Sequence, residues 1–119
     1  MKIFTYHAVM GKSIEHFESA GAYAQPVVQL PEGGTIHLIY ISPGGVVGYH
    51  PAVGDQLYLV VQGEGTVRGA EQELMPVQAG QAAFWQAGEG HETRSEAGLL
   101  AVVIEGHRLE FPGEPGVEG

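Results

Sequence analysis

The sequence predicts an all-β domain with little helix, an antiparallel barrel or sandwich. Short apolar runs recur along its 119 residues, and the 19 glycines fall between those runs. No stretch keeps a helical period for more than a turn or two. The length suits one hydrophobic core and is too short for two.

Residues 2–7 alternate between apolar and polar, as a short strand does. Ser13 to Ala20 reads as one or two helical turns, with Ser13 as N-cap and Ile14 and Phe17 three apart on one face. Gly21 and Pro26 then interrupt it. Beyond them the chain reads as strands: Val27–Leu30, Thr35–Ser42, Gln56–Gln62, Thr66–Ala70, Glu73–Val77, Ala82–Trp85, Glu92–Ser95 and Leu99–Glu105. Pro31–Gly34, Pro43–Gly45, Gly63–Gly65, Ala79–Gly80 and Ala87–Gly90 carry turn chemistry between them. Residues 1–110 form the expected domain, with 1–24 as an N-terminal strand and connecting segment. Residues 111–119, rich in Pro, Gly and Glu, read as a flexible tail.

Fourteen acids against five bases give a net charge of −9. Such a surface repels phosphate backbones, so nucleic acid is not an expected partner. Cysteine is absent, which removes disulfides and thiolate metal sites. No apolar run reaches membrane-spanning length and no secretory leader pattern opens the chain, so a soluble cytoplasmic protein without membrane contact is expected. Two strands, Gln56–Gln62 and Leu99–Ile104, are apolar on both faces. Their outer face needs a cover, and a second copy of the chain supplies one, predicting a homodimer. Local loops including residues 8–24 are the other candidate cover.

Two glycine-bounded segments carry the chemistry. In the first, five residues separate Gly44 from His50, one separates His50 from Ala52, three separate Ala52 from Gln56, and six lead to Gly63. In the second, five residues separate Gly80 from Gln86, one follows to Gly88, two to His91 and three to Ser95. Sixteen residues lie between the segments. This pair resembles the two motifs of the cupin family, which implies a jelly-roll β-barrel with a metal or small ligand inside. Family members with a metal hold it through two histidines and a glutamate of the first segment and a histidine of the second. On this chain those positions are His50, Ala52, Gln56 and His91. Ala52 has no donor atom, and Gln56 offers a neutral amide oxygen where the family has a carboxylate. Gln86 stands at the motif's proline and Ser95 at its asparagine.

Strand alternation gives an independent expectation: Gln56, Tyr58 and Val60 point inward, and Leu57, Leu59 and Val61 outward. The barrel interior then offers His50, His91, Gln56 and Tyr58 to a small molecule. Three functions stay open. The first is binding or sensing a small molecule. The second is a metal-dependent enzyme of oxygenase or isomerase type, with His50, Gln56 and His91 holding Zn, Fe, Ni or Cu; His37 or Tyr58 is a candidate to complete the shell. The third is metal-free proton transfer by His50 or His91 with Tyr58, with Arg68 as a candidate anchor for an anionic substrate. Trp85 and Phe84 suit the core or a barrel mouth. His7, His16 and His107, with Glu71 and Glu73, suit the surface. No serine has a nucleophile-elbow context, and no glycine loop precedes a helix to cradle phosphate.

Overall fold

The structure, a computed structural model, describes residues 1–7, 11–71 and 73–112. Among the described residues eight strands follow in order: β1 (Lys12–Ser13), β2 (Ala20–Gln29), β3 (Thr35–Pro51), β4 (Asp55–Arg68), β5 (Met75–Gln78), β6 (Ala82–Trp85), β7 (Gly90–Ser95) and β8 (Leu99–Gly106). All pairings are antiparallel. Among the described residues there is no helix, and none long and apolar enough to cross a membrane.

The barrel closes because β3 and β4 each serve two neighbourhoods. The first half of β3, Thr35 to Ile41, pairs with β2 and β8; its second half, Gly45 to Pro51, pairs with β7. Likewise β4 pairs with β8 and β6 up to Gly63, then with β5 and β7 from Glu64 to Arg68. Pro43–Gly45 and Gly63–Gly65 are therefore bends inside long strands, where the sequence predicted breaks between short ones. Gly44 and Gly63 take φ of 83° and 81°, a conformation open to glycine at little cost. At Gly63 a side chain would also run into the Gly98 carbonyl preceding β8. Glycine bends of this kind curve a sheet into a barrel.

The expected strand at residues 2–7 is absent. Its alternation has no partner strand, and its contact to the barrel includes a hydrogen bond from the Tyr6 hydroxyl to the Val27 carbonyl. The expected helical turns at Ser13–Ala20 are also absent. Lys12 and Ser13 pair with Ala24 and Tyr23, and the chain then loops back through Phe17 and Glu18, both at positive φ. Ile14 and Phe17 do share a face, but it is the face a strap turns toward the barrel. Of the expected flexible tail, residues 113–119 lie outside the described residues.

The core lies between the two halves of the barrel. Ile41, Val60 and Ala101 are fully buried, and Tyr58 and Trp85 nearly so. Inward residues alternate with outward ones as predicted: Gln56, Tyr58 and Val60 are buried, whereas Leu57 and Leu59 are half-buried and Val61 exposed.

Candidate functional site

His50 on β3 and His91 on β7 are register partners across the strand pair, so two histidines forty-one positions apart meet directly. Their ring centroids lie 4.3 Å apart. Each ring sets its Nδ1 against the backbone carbonyl two residues earlier: His50 to Gly48 at 2.7 Å, His91 to Glu89 at 3.3 Å. A carbonyl only accepts, so Nδ1 carries the proton in each bond. In the neutral ring, Nε2 is left as a lone pair. Aromatic rings close the column at both ends. Phe17 stacks on His50 at 4.4 Å, and Trp85 stacks on His91 at 4.4 Å.

Burial pushes the His91 pKa down to about 4, and the neighbouring His50 adds to the effect. The Glu89 carbonyl and carboxylate oppose both in part. His91 is thus neutral at physiological pH.

The two histidines border a cavity of about 120 Å³. Gln56 and Tyr58 from β4 and Thr93 from β7 supply its other polar groups; Ile14, Phe17, Ile39 and Val47 form its apolar wall. Gln56 Oε1, the Tyr58 hydroxyl and the Thr93 hydroxyl are buried with no hydrogen-bond partner. Burial holds the Tyr58 phenol above its ordinary pKa, and the nearby Thr93 hydroxyl offsets this without reaching hydrogen-bond geometry. Buried polar atoms are paired in the great majority of cases, so three without a protein partner around one cavity are unusual.

His50, Gln56, Tyr58 and His91 are therefore brought together. Other residues singled out in the sequence are not. Ala52 is buried and gives only backbone hydrogen bonds, with Glu89 and Gly88. His37 is half-buried on β3 and does not border the cavity. Arg68 cannot anchor a substrate inside. Its guanidinium is bonded to Glu92 at 3.1 Å and lies over the Tyr49 ring, on the face opposite Val67. Trp85 is core beside His91, while Phe84 faces out against Phe111. His7, His16 and His107, with Glu71 and Glu73, are exposed as expected.

Sequence reasoning missed Thr93 and the Ile14–Phe17 strap. Thr93 was within reach, since it shares strand parity with His91. The strap carried no local signal, because its conformation depends on contact with Gly48.

The paired histidine segments on facing strands of a closed antiparallel barrel agree with the comparison to known families: the cupin domain model matches residues 37–105, more than half the chain. The chain is a cupin. Its antiparallel barrel is the family's jelly roll, and solved structures agree. The protein TT1209 of Thermus thermophilus is 31% identical over 71% of this chain and 83% of its own, with a TM-score of 0.63. A cupin-like protein of Thermotoga maritima superposes with a TM-score of 0.74 at 15% identity, over 90% of this chain and 82% of its own. The polyketide cyclase RemF of Streptomyces resistomycificus gives 0.72 at 16% identity, over 90% and 81%. The last two show the fold alone. Among curated protein sequences none matches the chain.

This cupin departs from the family's metal-binding set in charge as well as number. Among the described residues no three His, Cys, Asp or Glu side chains gather to hold an ion. The set that does converge is two imidazoles and an amide oxygen, with no carboxylate among them.

Proposed function

We propose that this cupin binds a small organic molecule in its barrel cavity, through His50, Gln56, Tyr58 and His91. The single observation that carries this reading is the trio of buried, unpartnered polar atoms on Gln56, Tyr58 and Thr93. An unsatisfied buried hydroxyl lowers stability by about 1–3 kcal/mol, so groups held that way serve a ligand better than they serve the fold. The reading makes a paired prediction for Tyr58→Phe. The variant gains about 1 kcal/mol in chemical denaturation and loses about tenfold in ligand affinity. A variant less stable than the parent would mean that the hydroxyl is a structural group, and the reading would fall.

A second reading is supported by the histidine tautomers. With both Nδ1 atoms tied to carbonyls, His50 Nε2, His91 Nε2 and Gln56 Oε1 are the donor atoms left for an ion of the kind imidazoles hold, Zn, Fe, Ni or Cu. Such an ion would supply Lewis-acid chemistry to an oxygenase or isomerase type of reaction. The absence of a carboxylate predicts weak retention. Metal content of the purified protein, beside that of a His50→Ala, His91→Ala double variant, separates the readings: stoichiometric metal lost in the variant favours the enzyme.

The molecule is proposed to work as a homodimer in the cytoplasm. On the outer face of the β3–β8–β4 sheet, Ile36, Leu38, Leu57, Leu59, Val102 and Ile104 are half-buried neighbours in register. No charged side chain interrupts them. In a chain of net charge −9, an uncharged apolar face is where two copies approach without repulsion. Sedimentation should show a dimer at micromolar concentration, and Leu59→Glu should yield monomer with the barrel intact. A parent chain that is monomeric throughout would remove the proposal.

A further inference from the structure

The arrangement of donors, acceptors and apolar surface in the cavity narrows what it takes. Resting on the reading that this cavity is the binding site, we infer that its ligand is a compact, uncharged ring with an O–H or N–H donor on one edge, a phenol or a nitrogen counterpart.

The polar lining is mostly acceptor. His50 and His91 donate from Nδ1 to the Gly48 and Glu89 carbonyls, so their remaining ring nitrogens present lone pairs. The Gln56 orphan is its carbonyl oxygen, which only accepts. The Tyr58 and Thr93 hydroxyls work in either direction. One buried acceptor, Gln56 Oε1, therefore lacks a donor that the ligand can supply, and no atom of the ligand needs to be charged.

Anions are disfavoured by the same lining. No lysine or arginine borders the cavity. Arg68, whose strand supplies Gln56 and Tyr58, is turned to the outer face and tied to Glu92. A carboxylate or phosphate would meet lone pairs inside a chain of net charge −9.

The other wall is apolar, built by Ile14, Phe17, Ile39 and Val47. A polyol would leave hydroxyls unpaired against it, whereas a ring with its donor on one edge satisfies both walls. Size sets the upper limit. A dry cavity of about 150 Å³ holds benzene, and this one measures about 120 Å³. Being smaller, and open past the half-exposed Phe17, it admits at most a single small ring and no fused pair.

Trp85 is the chain's one tryptophan and stacks on His91, so its emission reads the cavity directly. Phenol, benzoate and toluene are titrated separately into the full chain at pH 7, followed by tryptophan fluorescence. Phenol should bind about tenfold or more tightly than either of the others, because toluene lacks the donor and benzoate brings the charge. In Gln56→Leu, and separately in Thr93→Val should the first variant fold poorly, phenol affinity should drop toward that of toluene. Benzoate or toluene binding as tightly as phenol overturns the ligand class and leaves cavity binding standing. No response to any of the three overturns both.

Discussion

Acidifying the metal-free protein from pH 7 to pH 5 should lower its folding stability by about 2 kcal/mol, and His91→Gln should flatten most of that slope. His91 has a folded pKa of about 4 against an ordinary 6.5, chiefly because burial penalises the charged ring and secondarily because His50 stands beside it. In the unfolded chain the same ring takes a proton near 6.5. Below that pH the unfolded state binds the extra proton and the folded state refuses it. The stability is therefore complete above 6.5 and declines as pH falls toward 4. The whole interval corresponds to about 3 kcal/mol, more than half of it lost by about pH 5. Carboxylates enter lower down. Glu92 is raised by burial but lowered further by Arg94 and Arg68, and Asp55 is lowered by the Leu109 and Ala87 backbone N–H groups. Their folded pKa values lie below 4.5 and 3.8, so their stabilisation is lost at more acid pH, below the window from 7 to 5. Urea unfolding at both pH values, with a chelator present, is the measurement. Equal slopes in parent and variant would show that His91 is not the group responsible.

Much of the site was legible because strand geometry is periodic. Gln56, Tyr58 and Val60 face inward because alternate residues share a face, and no tertiary knowledge is needed for that. His50 and His91 were recognisable as a pair from the glycine-bounded segments that hold them. The strand Ala82–Trp85 has the bounds expected from its sequence. What stayed hidden depends on partners. Alternation at residues 2–7 specifies two faces but not a neighbouring strand, and none pairs there. A glycine cluster looks the same whether the chain reverses or bends, so Gly44 and Gly63 read as strand ends. Arg68 sits one residue past the inward Val67, and only the register with Glu92 shows which way it points. The strap is the extreme case. Two consecutive non-glycine residues at φ of 59° and 57° are improbable from local preference alone and exist here because the barrel holds them.

That strap yields the other large expected effect: Gly48→Ala should release Ile14–Ser19 from the cavity while the barrel stays folded. Gly48 is buried, and a β-carbon there would collide with the Phe17 carbonyl. Something must move. The barrel strands are held by ladders on either side of the irregularity between Val47 and His50, whereas the strap is tied by the Ser19 hydroxyl accepting from Gly48 N–H at 3.0 Å, by Ile14 N–H to the Ala22 carbonyl, and by the Phe17–His50 stack. Its left-handed residues add strain of about 1 kcal/mol or more each, so it is the weaker side of the contact. Displacement removes one apolar wall of the cavity, and ligand affinity should fall by about tenfold or more. Stability should fall by about 1–3 kcal/mol through the lost packing. Glu18→Gly should act in the opposite direction. Glu18 is exposed at φ 57°, and glycine relieves its strain for a gain of up to about 1 kcal/mol while leaving the strap docked. Hydrogen exchange resolves the two. In Gly48→Ala, faster exchange should be confined to residues 14–19 and the adjoining Gly48 amide, with β4 and β8 protected as in the parent. Equal loss of protection along β4 and β8 would show that the strap is an integral part of the barrel instead of a cover laid over it.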